Sequence, residues 1–179
     1  MPKVDFFATP NGVCYSAKRK LEDGREYERL SSWFVPNVTC IPNIFDIAES
    51  KAIRIRWILP VDDSHFTMVT VYRVAKSAPP LIKLRINGKV WSEMGEQERQ
   101  DAPGDFEAQA GQGPVSLHSE EHLVSSDRGI IMQRRMLKAQ IKVVAQGGDP
   151  VGVNTDPDKA LVTVRSGNFY KTQSSANQT

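Results

Sequence analysis

An α+β domain is the fold class this sequence predicts: an antiparallel sheet packed on one face by a long C-terminal helix. Two observations carry that expectation. The first third of the chain holds two pairs of β-prone stretches, each folded back at a strong turn signal. The long helical pattern of the chain lies over residues 127–146, near its end.

Residues 3–8 (KVDFFA) are β-prone and end at Pro10-Asn11-Gly12, a turn signal. Residues 13–20 (VCYSAKRK) alternate roughly apolar and polar, which suits a strand with one wet face. Glu22-Asp23-Gly24 follows, and an Asp-Gly pair tolerates the positive φ that a tight hairpin needs. Residues 25–35 (REYERLSSWFV) then run back as the partner strand. Pro36, Pro42 and Asn43 break residues 36–51 into a loop with one short extended piece. Residues 52–61 (AIRIRWILPV) read as a strand, with Ile53, Ile55 and Trp57 on one face and Arg54, Arg56 and Ile58 on the other. After a turn at residues 60–64, residues 65–74 (HFTMVTVYRV) form its antiparallel partner. A sheet of at least four strands results.

Residues 75–104 read as a long irregular excursion, with a strand near Leu81–Ile86 and a turn at Asn87-Gly88. Such a segment suits a lid, an interface arm or a solvated loop. A short helical segment is expected around Asp105–Gln112. Ser125-Ser126-Asp127 forms an N-cap cluster for the long helix. Along that helix Ile130, Leu137, Ile141 and Val144 recur at helical spacing, and Ile131, Met136 and Val143 widen the stripe. Gly147-Gly148 closes the helix and Pro150 prevents its continuation. At 1.5 Å per residue the helix is roughly 30 Å long, enough to cross a sheet. From Asp156 onward the composition turns polar, and the tail SSANQT is expected to be disordered.

With 179 residues the chain is large enough for one domain with a core, and its net charge of +2 is too balanced to argue for a nucleic-acid partner. Its apolar runs are short and interrupted by charge, and the first residues lack the apolar centre of a signal peptide, so a cytoplasmic protein without membrane spans is expected. The two cysteines, Cys14 and Cys40, stand alone, without the close spacing of Cys and His that zinc or an iron–sulfur cluster requires, and read as buried thiols. His118 and His122 have the i, i+4 spacing that places two ligands on one helix face, but no HExxH signature accompanies them and the segment lacks a helical pattern. His65 reads as a surface residue after a turn. No nucleophile elbow, phosphate-binding loop or dinucleotide fingerprint is present. Asp105, next to Gly104 and ahead of a short helix, has the look of an ordinary N-terminal cap, with Gln109 one turn on.

A wider pattern surrounds Asp105 and Gln109. It runs through Gly113-Pro114, Ser119, Glu121-His122-Leu123, Ser126-Asp127, Gly129-Ile130, Arg134-Arg135 and Leu137. It resembles the C-terminal part of the catalytic (alpha) subunit of Rieske-type non-haem iron oxygenases, the aromatic-ring-hydroxylating enzymes of the phthalate-dioxygenase type. The stretches W-x-x-P-V-D-D-x-H at residues 57–65 and G-x-x-Y-x-R-L-x-x-W-x-x-P at residues 24–36 extend the resemblance over residues 10–153. By that resemblance residues 1–153 are part of the oxygenase catalytic domain, a partial helix-grip (START/Bet v 1-like) fold, and residues 154–179 are a polar tail.

The resemblance implies dioxygen-dependent hydroxylation or demethylation of an aromatic substrate at a mononuclear Fe(II). That ion is held by two His and one Asp, a facial arrangement that leaves positions open. The motif match makes Asp105 the carboxylate ligand. Trp33, Phe34, Trp57 and Gln109 are candidates for the substrate pocket, with plain core packing as the other reading of the aromatics. Electrons come, by the same implication, from NAD(P)H through a reductase and a [2Fe-2S] Rieske cluster, and the family is often homo-oligomeric.

The sequence departs from the family in lacking the C-x-H and C-x-x-H cluster motif and the paired His ligands; His65, His118 and His122 stand at none of the ligand positions. The expectation is therefore a truncated or split subunit, poor in iron and inactive alone, whose Rieske-bearing segment or partner chain supplies the rest. The alternative is a non-catalytic helix-grip module that binds a small ligand or serves in assembly. In that case Asp105 merely caps a helix.

Overall fold

The structure, a computed structural model, describes residues 2–42, 50–51, 54–73, 89, 93–101 and 103–171. Eight strands and three α-helices lie among them, in the order β1 (Lys3–Thr9), β2 (Gly12–Lys20), β3 (Glu26–Phe34), β4 (Val38–Ile41), β5 (Ser50–Lys51), β6 (Arg54–Pro60), β7 (Phe66–Tyr72), α1 (Glu96–Asp101), α2 (Asp105–Ala110), α3 (Arg128–Ala145) and β8 (Gly167–Lys171). The α+β class expected from the sequence is the class observed. The strands form one sheet in the order β1-β2-β3-β4-β6-β7, with β8 pairing β3 and β5.

Two compact units divide the chain: Met1–Leu59, Thr67–Arg73 and Leu123–Thr179 in the first, Pro60–Phe66 and Val74–His122 in the second. The first holds most of the sheet and α3. The second holds α1 and α2.

Each predicted hairpin forms, with short-range causes. At the β2–β3 turn Gly24 sits at φ +81°, in the left-handed region that a side chain resists. The Asp23 carboxylate accepts from the Arg25 backbone N–H at 3.1 Å and from its Nε at 2.7 Å, tying the turn shut. The β2–β3 register runs from Gly12 opposite Phe34 to Lys20 opposite Glu26. The short extended piece expected within residues 36–51 is β4, and it is an interior strand. It pairs Cys40 with Ser32 on β3 and with Ile55 on β6.

Strand β3 is the axis of the sheet. One edge pairs β2 throughout; the other is shared, Ser32–Phe34 taking β4 and Glu26–Leu30 taking β8. Val13, Cys14, Tyr27, Leu30 and Cys40 are buried around it. On the face opposite α3, Ser166 Oγ donates to Ser32 Oγ at 2.8 Å between two buried residues.

Several expectations need correction. Strand β8 lies in the stretch expected to be a polar tail. Its Asn168 is fully buried and accepts the Tyr27 hydroxyl at 2.8 Å, so tertiary pairing rather than composition makes it a strand. The polar run near residue 96 forms α1, where Gln97 donates to Asp101 one turn on, instead of a loop throughout. The strand expected at Leu81–Ile86, the turn at Asn87-Gly88 and the tail SSANQT lie outside the described residues.

Helix α3 occupies nearly the predicted span, but only part of the apolar stripe is its contact face: Ile131, Met136, Leu137 and Val143 are half-buried and Ile130 lines a cavity against the sheet. Ile141 is 65% exposed and Val144 54% exposed, while Gly129 is buried and Gln133, Met136 and Gln140 are half-buried. Gly129, Gln133, Met136 and Gln140, spaced i, i+4, i+7, i+11, mark one line along the less exposed side of the helix. The approach is close at its start: a Cβ at Gly129 would lie 2.3 Å from the Phe6 ring. The helix ends as expected, with Gly147 at φ +79° and its N–H bonded to the Val144 carbonyl at 2.9 Å. At its start the serine hydroxyls make no capping bond; Asp127 Oδ2 accepts from the Val124 N–H at 2.9 Å at the head of a 3-10 turn over Ser125–Asp127. Among the described residues no helix is long and apolar enough to cross a membrane.

Candidate functional site

Successive side chains of a strand point to opposite faces, so the register of the sheet decides which residues can share a site. On the face that α3 covers stand Phe6 of β1, Val13 and Tyr15 of β2, Ser31 and Trp33 of β3, and Thr39 and Ile41 of β4. With Ser32, and with Gly129, Ile130 and Gln133 of α3, they line a cavity of about 220 Å³. Among the described residues no charged side chain belongs to the lining. Arg128 fixes the helix start above it, its guanidinium 3.7 Å from the Asp5 carboxylate and 3.4 Å from the Phe6 carbonyl.

The cavity is apolar, yet enclosed polar atoms gather around it. Ser31 Oγ and Thr39 Oγ1 are buried without a hydrogen-bond partner among the described residues. So are the Nε atoms of Arg54 and Arg56. Arg56 pairs directly opposite Thr39, and Arg54 opposite Ile41, which places both arginines on the cavity's face of the sheet. An enclosed donor or acceptor without a partner costs about 1–3 kcal/mol.

The other face of the sheet carries a second cavity of about 280 Å³. It is lined by Phe7, Cys14, Ser32 and Phe34, with residues 162–165 among those closing it. Burial pushes the Cys14 and Cys40 thiols up from their ordinary pKa, as expected of inert core thiols. Near the far end of β3, burial also pulls the Glu28 carboxyl upward. The hydrogen bond from Ser16 Oγ, at 2.6 Å, and the charges of Lys18 and Lys171 outweigh it, and the net shift is downward.

The predicted pocket residues are separated by this geometry. Trp33 lines the α3-side cavity, and its neighbour Phe34 lines the one on the opposite face. Trp57 pairs with Val38, in line with Phe34, so it too faces away from α3. Gln109 is exposed on α2, in the second unit. Of the three aromatics only Trp33 lies in the α3-side cavity. Sequence reading missed Ser31, Thr39, Arg54 and Arg56. Arginines at alternate positions of an otherwise apolar strand were the available signal.

Asp105 is the first residue of α2 and is exposed. It does not cap the helix: Gly104 holds the cap position, and the Glu107 carboxylate accepts the Gly104 N–H at 2.7 Å. Among the described residues no group of three or more His, Cys, Asp or Glu is arranged to hold a metal ion, and His118 and His122 therefore do not form such a centre with their neighbours. His118 opens a short 3-10 turn, His118–Glu120, and His122 lies beyond it, so the two do not share a face of an α-helix. The side chain of His65 is exposed on the β6–β7 turn and bonds Asp62 Oδ1 at 2.9 Å, a local turn contact.

No family model matches the chain. Among curated proteins it is 51% identical over 175 residues to the alpha subunit of phenoxybenzoate dioxygenase from Ectopseudomonas oleovorans, covering 96% of this chain and 42% of that one. It is 32% identical over 168 residues to the oxygenase subunit of a tert-butanol monooxygenase / tert-amyl alcohol desaturase from Aquincola tertiaricarbonis. To the oxygenase subunit of a 5,5'-dehydrodivanillate O-demethylase from a Sphingobium species it is 30% identical over 163 residues. The last two alignments cover 86% and 87% of this chain and 36% of each relative. The chain therefore spans about two fifths of the length of these relatives.

Proposed function

We propose that this chain, a relative of the oxygenase subunits of Rieske-type aromatic oxygenases, forms the substrate-holding part of such a subunit. Its α3-side cavity takes the aromatic ring. The ring-sized cavity is the observation that carries the reading. An apolar protein cavity of about 150 Å³ accommodates benzene, so one of about 220 Å³ suits a single ring with a small substituent. The architecture around it, a sheet laid against one long helix, supports a helix-grip assignment. The identity with a subunit named for phenoxybenzoate supports an aryl ether or an aromatic acid as the substrate class.

The reaction we assign to the whole subunit is hydroxylation or demethylation of that ring. It uses dioxygen at a mononuclear Fe(II), with electrons from NAD(P)H through a reductase and a [2Fe-2S] cluster. The residues described here do not by themselves fit an iron ion, since Asp105 offers one free carboxylate where a facial site needs three ligands. We assign Asp105 the carboxylate's place and leave the two His ligands and the cluster to other parts of a complete subunit. The work of this chain's own residues is to bind the ring and exclude water from it. Trp33, Phe6 and Ile41 supply apolar walls, and α3 closes the top.

The test is reconstitution with the N-terminal part of the phenoxybenzoate dioxygenase alpha subunit. Iron per complex and dioxygen-dependent consumption of phenoxybenzoate are measured. The complex should retain iron, and Asp105→Ala should reduce it to background while the complex still assembles. Iron that persists in the Asp105→Ala complex would remove Asp105 from the site.

A further inference from the structure

We infer that Arg54 and Arg56 form an anion subsite beside the ring cavity, which takes the carboxylate of an aromatic acid. The inference rests on reading the cavity as the ring's place. It adds a charge requirement that the lining alone does not carry.

The two arginines alternate on β6, so both point to one face, and their Cα atoms are about 6.6 Å apart at 3.3 Å per residue. Directly across from them on β4 are Thr39 and Ile41, which belong to the cavity wall. The arginines thus flank the apolar space on the strand next to it. Both are half-buried, and each has an enclosed Nε with no acceptor among the described residues. No carboxylate forms an ion pair with either one there. Elsewhere in the same unit Arg25 pairs with Asp23, Lys18 with Glu28 and Arg128 with Asp5, while Arg29 Nε on β3 is enclosed without a partner like those of Arg54 and Arg56. Two like charges on neighbouring positions of one face repel, and desolvation of their Nε groups adds to the cost. A bound carboxylate relieves both. The planar guanidinium fork offers paired N–H donors at the spacing of the two carboxylate oxygens. Thr39 Oγ1 and Ser31 Oγ, also enclosed without partners, are the nearby hydroxyls through which the ligand's remaining oxygen contacts are made.

The geometry selects an acid over a neutral aromatic of the same shape. Benzoate and benzamide are nearly isosteric and differ in charge, so they separate the ring from the anion. Binding is followed by the fluorescence of Trp33, which lines the cavity, and by saturation-transfer NMR of the ligand ring. The whole chain should bind benzoate about tenfold or more tightly than benzamide, the scale of one charge-assisted pair. Arg54→Gln and Arg56→Gln should each lower benzoate affinity and leave benzamide affinity in place. Arg56→Lys, which keeps the charge but not the fork, should recover part of the loss. If benzamide binds as tightly as benzoate, or if the Gln variants weaken both ligands equally, the anion subsite is refuted and the ring cavity stands. If neither ligand reaches Trp33 in the unaltered chain, the ring cavity fails and the subsite fails with it. The benzoate–benzamide comparison in the unaltered chain keeps the test intact should a variant not fold.

Discussion

Replacing Gly129 by alanine probes the joint between α3 and the sheet. A Cβ there would lie 2.3 Å from Phe6 Cδ1 and 2.4 Å from Cε1. Carbon atoms in ordinary contact are about 3.5–4.0 Å apart, so ring and helix must separate by about 1.2 Å or more. Helix propensity favours the change by at most about 1 kcal/mol, the value for a helix interior, because Gly129 is the second residue of α3. Overpacking opposes it by about 1–3 kcal/mol. The two together leave the variant at best equal to the parent, and up to about 3 kcal/mol less stable. The way the strain is relieved matters more than its size. Phe6 and Gly129 line the same cavity. Relief by ring rotation therefore fills it, and Gly129→Ala should weaken aromatic ligands while urea unfolding shows a small loss. A variant stabilised by the full propensity gain, with ligand affinity unchanged, would show that Phe6 is not held against the helix and would refute the reasoning.

Gly12→Ala should be far more damaging, because its Cβ would fall 1.8 Å from the Trp33 carbonyl oxygen, backbone that cannot swing aside. Its urea midpoint should drop by the equivalent of about 3 kcal/mol or more, or the variant should fail to fold; Gly24→Ala, where no atom lies within 4 Å but φ is +81°, should lose only about 1–2 kcal/mol. Glu28 should confer an acid-side dependence. Its folded pKa is lowered, so its stabilisation is fully present above the unfolded value of about 4.3 and is lost as pH falls through the lower, folded value. Glu28→Gln should flatten the stability profile in that acid window and lose about 1 kcal/mol at neutral pH, after allowance for its partial exposure; an unchanged slope in urea titrations would show that the Ser16 and Lys18 contacts contribute nothing.

The sheet was legible because its causes are short-range. Asp23-Gly24 selects a hairpin by backbone conformation, and period-two alternation fixes the pairing on either side of it. Strand β8 was not, since five residues containing Gly167 and Asn168 have little β-character until Tyr27 supplies a bond to Asn168. The C-terminal part of the contact face of α3 was misread for a related reason. An apolar stripe marks the buried side only when bulk fills the joint. Here the joint is closed by a glycine against an aromatic ring, and Ile141 and Val144 remain exposed. The site suffered from parity. Trp33 and Phe34 look alike as pocket candidates, yet their side chains leave the strand on opposite faces and line different cavities. Alternation separates Arg54 and Arg56 from Ile55 without telling which face is enclosed.

That last ambiguity explains why chemistry gathers where it does. A strand beside an interior cavity would gain more from burying isoleucine than arginine, since a buried guanidinium without a partner is costly. Yet β6 turns Arg54 and Arg56 toward the helix-covered face and leaves Ile55 39% exposed. A register slip of one residue would exchange the two sets. The observed register instead places two arginines, without an ion-pair partner among the described residues, beside an apolar wall, an arrangement whose cost a bound anion with an apolar body would offset. On the anion-subsite reading, that register suits the bound state, and the difference is expected to appear as ligand affinity.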